Sequence, residues 1–343
     1  MPGWGKRPTD VAERAVPPYR VPPPARSDLI DWPDAFGTRF MVQVDVEEEF
    51  DWSRPLDPAN RATTAMAAFP DAHRHFADRG VPLTCFVDHP VATDPAAVAF
   101  LAAMLDDGRS AIGAQLHGWV TPPLMPLGRG DSFAGNLPRP LEAAKIDTLT
   151  AALTDAFGRP PLAFRSGRYG IGPNTIELLG ARGYRVDCSV RARYDYSADG
   201  GPDFHVIGSD AYRTGRLVEI PFTTMYAGAL RTRGPRLYPA LGRVPRARGV
   251  FARTGLLQRV SLTPEDMPID DAVQAVDVAV EQGLRLLVLA FHSPSLAPGH
   301  TPYVRDADGL ARFWSWWRIM LDRLAALGIT PVGLDEVIAA SGA

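Results

Sequence analysis

Apolar residues recur along this chain in two alternating rhythms: short runs of strand length, and longer stretches at helical spacing. The run RFMVQVDV (39–46) predicts a buried strand. Residues 62–79 predict a helix closed by Gly80, since glycine readily takes the left-handed conformation of a helix cap. PLTCFV (82–87) predicts a second strand. PAAVAFLAAMLDDG (95–108) predicts a helix with Pro95 in its first turn and Gly108 at its end. SAIGAQLH (110–117) predicts a third strand. The alternation continues through helix 140–157, strand 162–165, helix 173–182, a short strand near 185–190 and strand 217–221. After an irregular stretch come helix 270–283, strand 285–291, helix 307–327, strand 329–332 and a short helix from Leu334.

Strands alternating with helices in this way imply parallel pairing through crossover helices. Seven or eight such units favour a closed or nearly closed (β/α) barrel over an open sheet. No repeat or internal domain boundary interrupts it. Residues 1–38 read differently: Pro17, Pro18, Pro22, Pro23 and Pro24 crowd into eight positions, predicting an extended arm that lies on the barrel or stays mobile. The barrel is expected over 39–338, with an arginine-rich insertion at 221–264.

In a barrel of parallel strands, chemistry gathers at the carboxyl ends of the strands. Asp45 and Glu47 end the first strand, His117 the third, Arg165 the next, and His292 closes RLLVLAFH. Polar residues therefore converge from four strand ends.

Composition adds little. The chain has 343 residues, 46% of them hydrophobic, and a formal net charge of −3, which excludes a general affinity for nucleic acid. Cys85 and Cys188 lie in apolar runs and read as reduced core thiols. No apolar stretch has the length of a signal peptide core or a membrane span, so a cytoplasmic location is expected. The FWSWW run (313–317) has the aromatic weight of a core helix or an interface, and the core is the favoured reading. Residues 221–264 hold eight arginines and no acid. They read either as a solvated insertion or as an anion site, for the phosphate of a nucleotide- or lipid-linked sugar or for peripheral contact with an anionic membrane.

Four motifs in order, VDVEEEF (44–50), IGAQLHGWVTPP (112–123), FRSGRYGIGPNT (164–175) and FHSPSLAPGHTPYV (291–304), resemble the polysaccharide deacetylase (NodB-homology) family, specifically a branch found among bacterial surface-polysaccharide genes. The resemblance implies a distorted (β/α)7-type barrel and metal-assisted removal of an N-acyl group from an amino sugar. It implies Asp45 as base, His292 as acid, Arg165 holding the base, and Tyr169 supplying a backbone N–H to the oxyanion. It further implies a divalent cation, zinc, at Glu47 and His117, with Trp119 and Arg168 as substrate-binding candidates.

Two positions depart from that pattern. Glu47 stands two residues after Asp45, where the family commonly has two adjacent aspartates. Gln115 stands where the branch has a second histidine. In a strand, positions 115 and 117 share a face, so both would reach one ion, but glutamine offers only a neutral amide oxygen. The cation could be held weakly through His117, Glu47 and water; His89 or His300 could fill the gap; or the metal could be lost. Two alternatives to the deacetylase follow: a metal-independent hydrolase of a small non-peptide C–N bond, and a catalytically silent barrel that binds a glycan or a partner.

Overall fold

The computed structural model describes residues 18–343 except Leu127 and Arg129. Its strands are β1 (Arg39–Val46), β2 (Leu83–Val87), β3 (Ala111–Leu116), β4 (Ala163–Ser166), β5 (Val186–Asp187), β6 (Tyr212–Thr214), β7 (Leu217–Glu219), β8 (Thr224–Ala227), β9 (Gln258–Ser261), β10 (Leu286–His292) and β11 (Thr330–Pro331). Its α-helices are α1 (Phe69–Ala77), α2 (His89–Ala92), α3 (Pro95–Leu105), α4 (Arg139–Phe157), α5 (Thr175–Gly180), α6 (Gly234–Leu241), α7 (Ala247–Arg253), α8 (Ile269–Glu281), α9 (Ala307–Ala326) and α10 (Leu334–Ser341).

The main sheet runs β10-β1-β2-β3-β4-β5-β7-β6, with β11 also on β1; every pair is parallel except β6 with β7. Between β7 and β10 the antiparallel pair β8–β9 covers the gap, through hydrogen bonds such as Ala290 N–H to the Leu262 carbonyl (3.1 Å). The result is a curled, mostly parallel sheet wrapped by helices, a distorted (β/α) barrel.

The period-two rule sorts side chains between two cores. Along β1, Phe40, Val42, Val44 and Val46 pack outward under the helices with Phe76, Leu101, Leu149, Phe313 and Trp317. Met41 faces inward, with Phe86, Val186, Val218 and Val288. Gln43 and Asp45 share Met41's parity. The interior therefore begins apolar at its base and becomes polar towards the carboxyl ends. Gly113 belongs to this layer, because a Cβ there would lie 2.7 Å from the Phe86 ring. The FWSWW segment is core: Phe313, Trp316 and Trp317 are buried on α9.

The sequence reading needs two revisions. The first helix is shorter than 62–79, because residues 64–68 form a 3-10 turn before Pro70 opens α1. The stretch after 221 is not irregular; it holds β8, α6, α7 and β9. Of the proline-rich arm, residues 1–17 lie outside the described residues. From Tyr19 onward it lies on the barrel: Val21 packs with Phe204 and Ile207, and Trp32 stacks on Phe36 with centroids 4.3 Å apart.

Candidate active site

The inward parity of β1, β3, β4 and β10 delivers four side chains to one mouth. Asp45 is in register with His292 across the β1–β10 pair, and Gln115 with Arg165 across β3–β4. They open onto a cavity of about 670 Å³, lined also by Glu47, His117, Trp119, Arg168, Tyr169 and Ser166.

Arg165 is wholly buried with every donor group engaged. Nη1 donates to Asp45 Oδ1 at 2.5 Å, Nη2 to Gln43 Oε1, and Nε to the Cys188 carbonyl at 3.2 Å. Its guanidinium lies 4.6 Å from the centroid of the Phe86 ring. A buried, fully engaged arginine fixes the direction of the Asp45 carboxylate.

His292 is clamped by a residue the motifs did not point to. Glu265 Oε2 lies 2.6 Å from Nδ1, while Oε1 accepts from the His292 backbone N–H and from Ser295 Oγ. With Nδ1 committed to Glu265, Nε2 faces Asp45 Oδ2 at 3.6 Å. Burial pulls the imidazolium pKa down, but Glu265, with Glu47 and Asp45, more than offsets this and raises it to about 10. Glu265 is the first acid after the acid-free 221–264 stretch, a signal that could have marked it.

His117 is oriented from behind. Nδ1 lies 2.7 Å from Glu48 Oε2, and Trp119 Nε1 donates to Glu48 Oε1 at 2.6 Å. The Trp119 ring stacks on the imidazole with centroids 4.2 Å apart. Asp88 completes the support, accepting from the backbone N–H groups of Glu48 and Val91. Glu48, Asp88 and His117 lie close enough to share an ion, yet each oxygen of both carboxylates already accepts a hydrogen bond. They are the oriented support that a ligating histidine requires. Trp119, expected to touch substrate, spends its only polar group on this support.

A second group of polar atoms lies on the other side of His117. Its Nε2 is 3.5 Å from Glu47 Oε2, and Gln115 Nε2 donates to that same oxygen at 3.1 Å. Among the described residues, Glu47 Oε1 and Gln115 Oε1 are buried without a hydrogen-bond partner. Two orphaned oxygens beside an imidazole nitrogen form a donor set that fits a divalent cation, bound less tightly than by two imidazoles. Burial pushes the Glu47 carboxyl up to about 8, against His292 and His117, as expected for an acid placed where a cation would offset the cost of its charge.

The compensating histidines do not reach this set. His89 sits in the first turn of α2, with Nδ1 3.4 Å from Arg61. His300 pairs with Glu49 at 3.1 Å beside a separate groove. Tyr169 and Arg168 do line the cavity, on a turn where both take left-handed backbone, φ +59° and +56°. Such conformations cost a non-glycine residue about 1–2 kcal/mol each, and they cluster at functional sites. Trp52, half-exposed at the rim, meets the His292 ring edge-on with centroids 5.2 Å apart; the motifs did not mark it either.

No family model matches the chain, and no curated protein matches it in sequence. Solved structures do match in shape. A probable polysaccharide deacetylase of Pseudomonas aeruginosa PAO1 is 15% identical, with a TM-score of 0.52 over 90% of this chain and 92% of that one. A glycoside hydrolase/deacetylase candidate from Parabacteroides distasonis is 12% identical, with a TM-score of 0.53 over 86% of this chain and 69% of the other. At these identities the likeness establishes the fold: a curled, mostly parallel sheet of the kind found in polysaccharide deacetylases.

Proposed function

We propose that this protein is a carbohydrate deacetylase of the NodB-homology kind, removing an N-acyl group from an amino sugar of a bacterial surface glycan or its precursor. One observation carries the reading: an arginine-clamped aspartate, a glutamate-clamped histidine and a histidine–carboxylate–amide donor set meet in one cavity. Asp45, held in place by Arg165, takes a proton from the attacking water. As the water oxygen bonds to the acyl carbon, the Tyr169 backbone N–H meets the oxyanion that develops. His292, held protonated by Glu265, passes its proton to the sugar nitrogen as the C–N bond breaks. Glu47, His117 and Gln115 would hold a divalent cation, zinc by the chemistry of the imidazole. When bound, it polarises the acyl carbonyl and acidifies the water. Trp52 offers an aromatic face to a sugar ring.

A second reading draws on the Gln115–Glu47 hydrogen bond, which occupies one oxygen of the donor set. It is a metal-independent hydrolase of a small C–N bond, and insensitivity to chelator separates it from the first. The buried, unpaired Cys85 and Cys188 suit a reducing, cytoplasmic compartment. No helix among the described residues is long and apolar enough to cross a membrane. The exposed arginines of α6, α7 and the turn between them suit a nucleotide- or lipid-linked substrate or an anionic membrane surface. Residues 1–38 serve as an extension of the 39–338 barrel, which 221–264 elaborates.

The test is acetate release from N-acetylated oligosaccharides. Asp45→Asn keeps the side chain's shape and removes the base; the account requires a loss of roughly 10²–10⁴-fold. An undiminished rate would sink the mechanism.

A further inference from the structure

Arg165 spends its charge on Asp45. Two other arginines in the same cavity do not spend theirs. Arg191 reaches the cavity wall from the segment after β5. Its guanidinium carbon lies 3.9 Å from the centroid of Tyr194 and 5.5 Å from those of Tyr169 and Phe222. Among the described residues its only side-chain hydrogen bonds are long and go to neutral groups, Tyr196 Oη and Ser261 Oγ, each at 3.4 Å. Its Nε is buried with no partner among the described residues. Arg168 donates to Ser132 Oγ at 2.5 Å and lies 4.1 Å over the Phe133 ring, again without a carboxylate. Among the described residues neither arginine forms an ion pair.

Arg191 is half-buried and Arg168 exposed; a guanidinium partly withdrawn from water against aromatic faces, as Arg191 is, with no carboxylate beside it, is better balanced when a ligand supplies the anion. The backbone agrees: the left-handed turn at 168–169 holds Arg168 over the cavity at a cost in strain. Ser166 Oγ, in the same wall, is buried with no partner among the described residues. A cation held by Glu47 would make the cavity more positive still. Planar, multi-donor arginines match carboxylate and phosphate oxygens. A neutral amino sugar would leave both arginines without a counter-charge.

We infer that the cavity selects an anionic amino-sugar substrate, with Arg191 and Arg168 binding a carboxylate or phosphate adjacent to the N-acylated sugar. This rests on the deacetylase reading for the identity of the sugar, but the anion subsite itself does not need hydrolysis.

The experiment measures binding by calorimetry and, separately, acetate release, on the full-length protein. Three probes are used: neutral chitotetraose, a hyaluronan tetrasaccharide carrying uronate carboxylates, and UDP-N-acetylglucosamine. At least one anionic probe should bind roughly tenfold or more tightly than chitotetraose. The tighter of the two names the source, uronate or carrier phosphate. Arg191→Gln should shrink the anionic-to-neutral preference by on the order of tenfold to a hundredfold. Arg168→Gln, on an exposed side chain that folding does not need, should also shrink it. Equal or tighter binding of chitotetraose, no binding of either anion, or a preference unchanged in both variants would overturn the inference. Anion binding that depends on Arg191 without acetate release supports the subsite and counts against the hydrolase.

Discussion

His292 Nε2 stands 3.6 Å from Asp45 Oδ2, and each residue is fixed from behind by an ion of opposite sign, Glu265 for the histidine and Arg165 for the aspartate. The two clamps give the pair opposite surroundings, a guanidinium beside the aspartate and a carboxylate beside the histidine, whose pKa is raised to about 10. This is the division that a base and an acid acting on one bond require. It arises from two adjacent strands in register, so neither residue depends on a loop for its place.

The pH profile should carry the signature of this arrangement. The acid must be protonated, so the alkaline limb of kcat/KM is expected near His292's value of about 10. Glu265 is the largest influence raising that value, and Glu265→Gln should move the limb down by about one to three pH units. The effect on stability has the same sign. A histidine whose folded pKa is raised stabilises the fold fully below its ordinary pKa, and that contribution is lost as pH rises through about 10. Urea denaturation at pH 7 and at pH 10 should therefore show a larger loss with rising pH in the wild type than in Glu265→Gln. An alkaline limb that does not move would remove Glu265 from the acid's machinery.

The proposed cation donors make opposite predictions for two substitutions. Gln115→His replaces a weak neutral donor by imidazole on the same strand face, and should raise zinc affinity by at least about tenfold. Glu48→Gln weakens the acceptor that orients His117, and should lower affinity by roughly 10–100-fold. Competition with a coloured chelator reads both. If neither substitution changes affinity, zinc is not held at this donor set.

Gly167 tests the geometry without touching a polar group. A Cβ there would lie 2.3 Å from His117 Cδ2 and 2.9 Å from the Leu116 carbonyl oxygen. The imidazole is pinned by Glu48 and Trp119 and cannot step aside cheaply. Gly167→Ala should cost about 1–3 kcal/mol of stability through overpacking and should weaken zinc binding together with activity. Unchanged thermal stability and unchanged affinity would show that His117 is less firmly held than its contacts imply.

The sequence was most informative where periodicity governs. Strand parity and strand-end position carried Asp45, Gln115, His117, Arg165 and His292 to one mouth, because a strand of known register leaves a side chain only two directions. Legibility stopped where the strands stop. Beyond Val46 the EEEF run has no period, so nothing in it separates Glu47, which faces the cavity, from Glu48, which turns behind His117, or Glu49, which caps the turn at Thr64 and Ala65. Glu265 lies 27 residues from His292, and only the β8–β9 excursion folding back brings them together. Trp119 lines the cavity, and its indole N–H donates to the buried Glu48, a contact that strand parity does not show. Helix ends at Gly80 and Gly108 were visible from residue chemistry, whereas the 3-10 turn at 64–68 was not.

The central claim is that this barrel uses a divalent cation to hydrolyse an N-acyl bond. The most direct measurement follows acetate release from an N-acetylated amino-sugar oligosaccharide by protein loaded with zinc, stripped with chelator, and reloaded. The account predicts acetate from the loaded protein, its loss on stripping, and its return with about one equivalent of zinc per chain. Acetate release that persists after complete stripping, or none from protein shown to hold zinc, would contradict it.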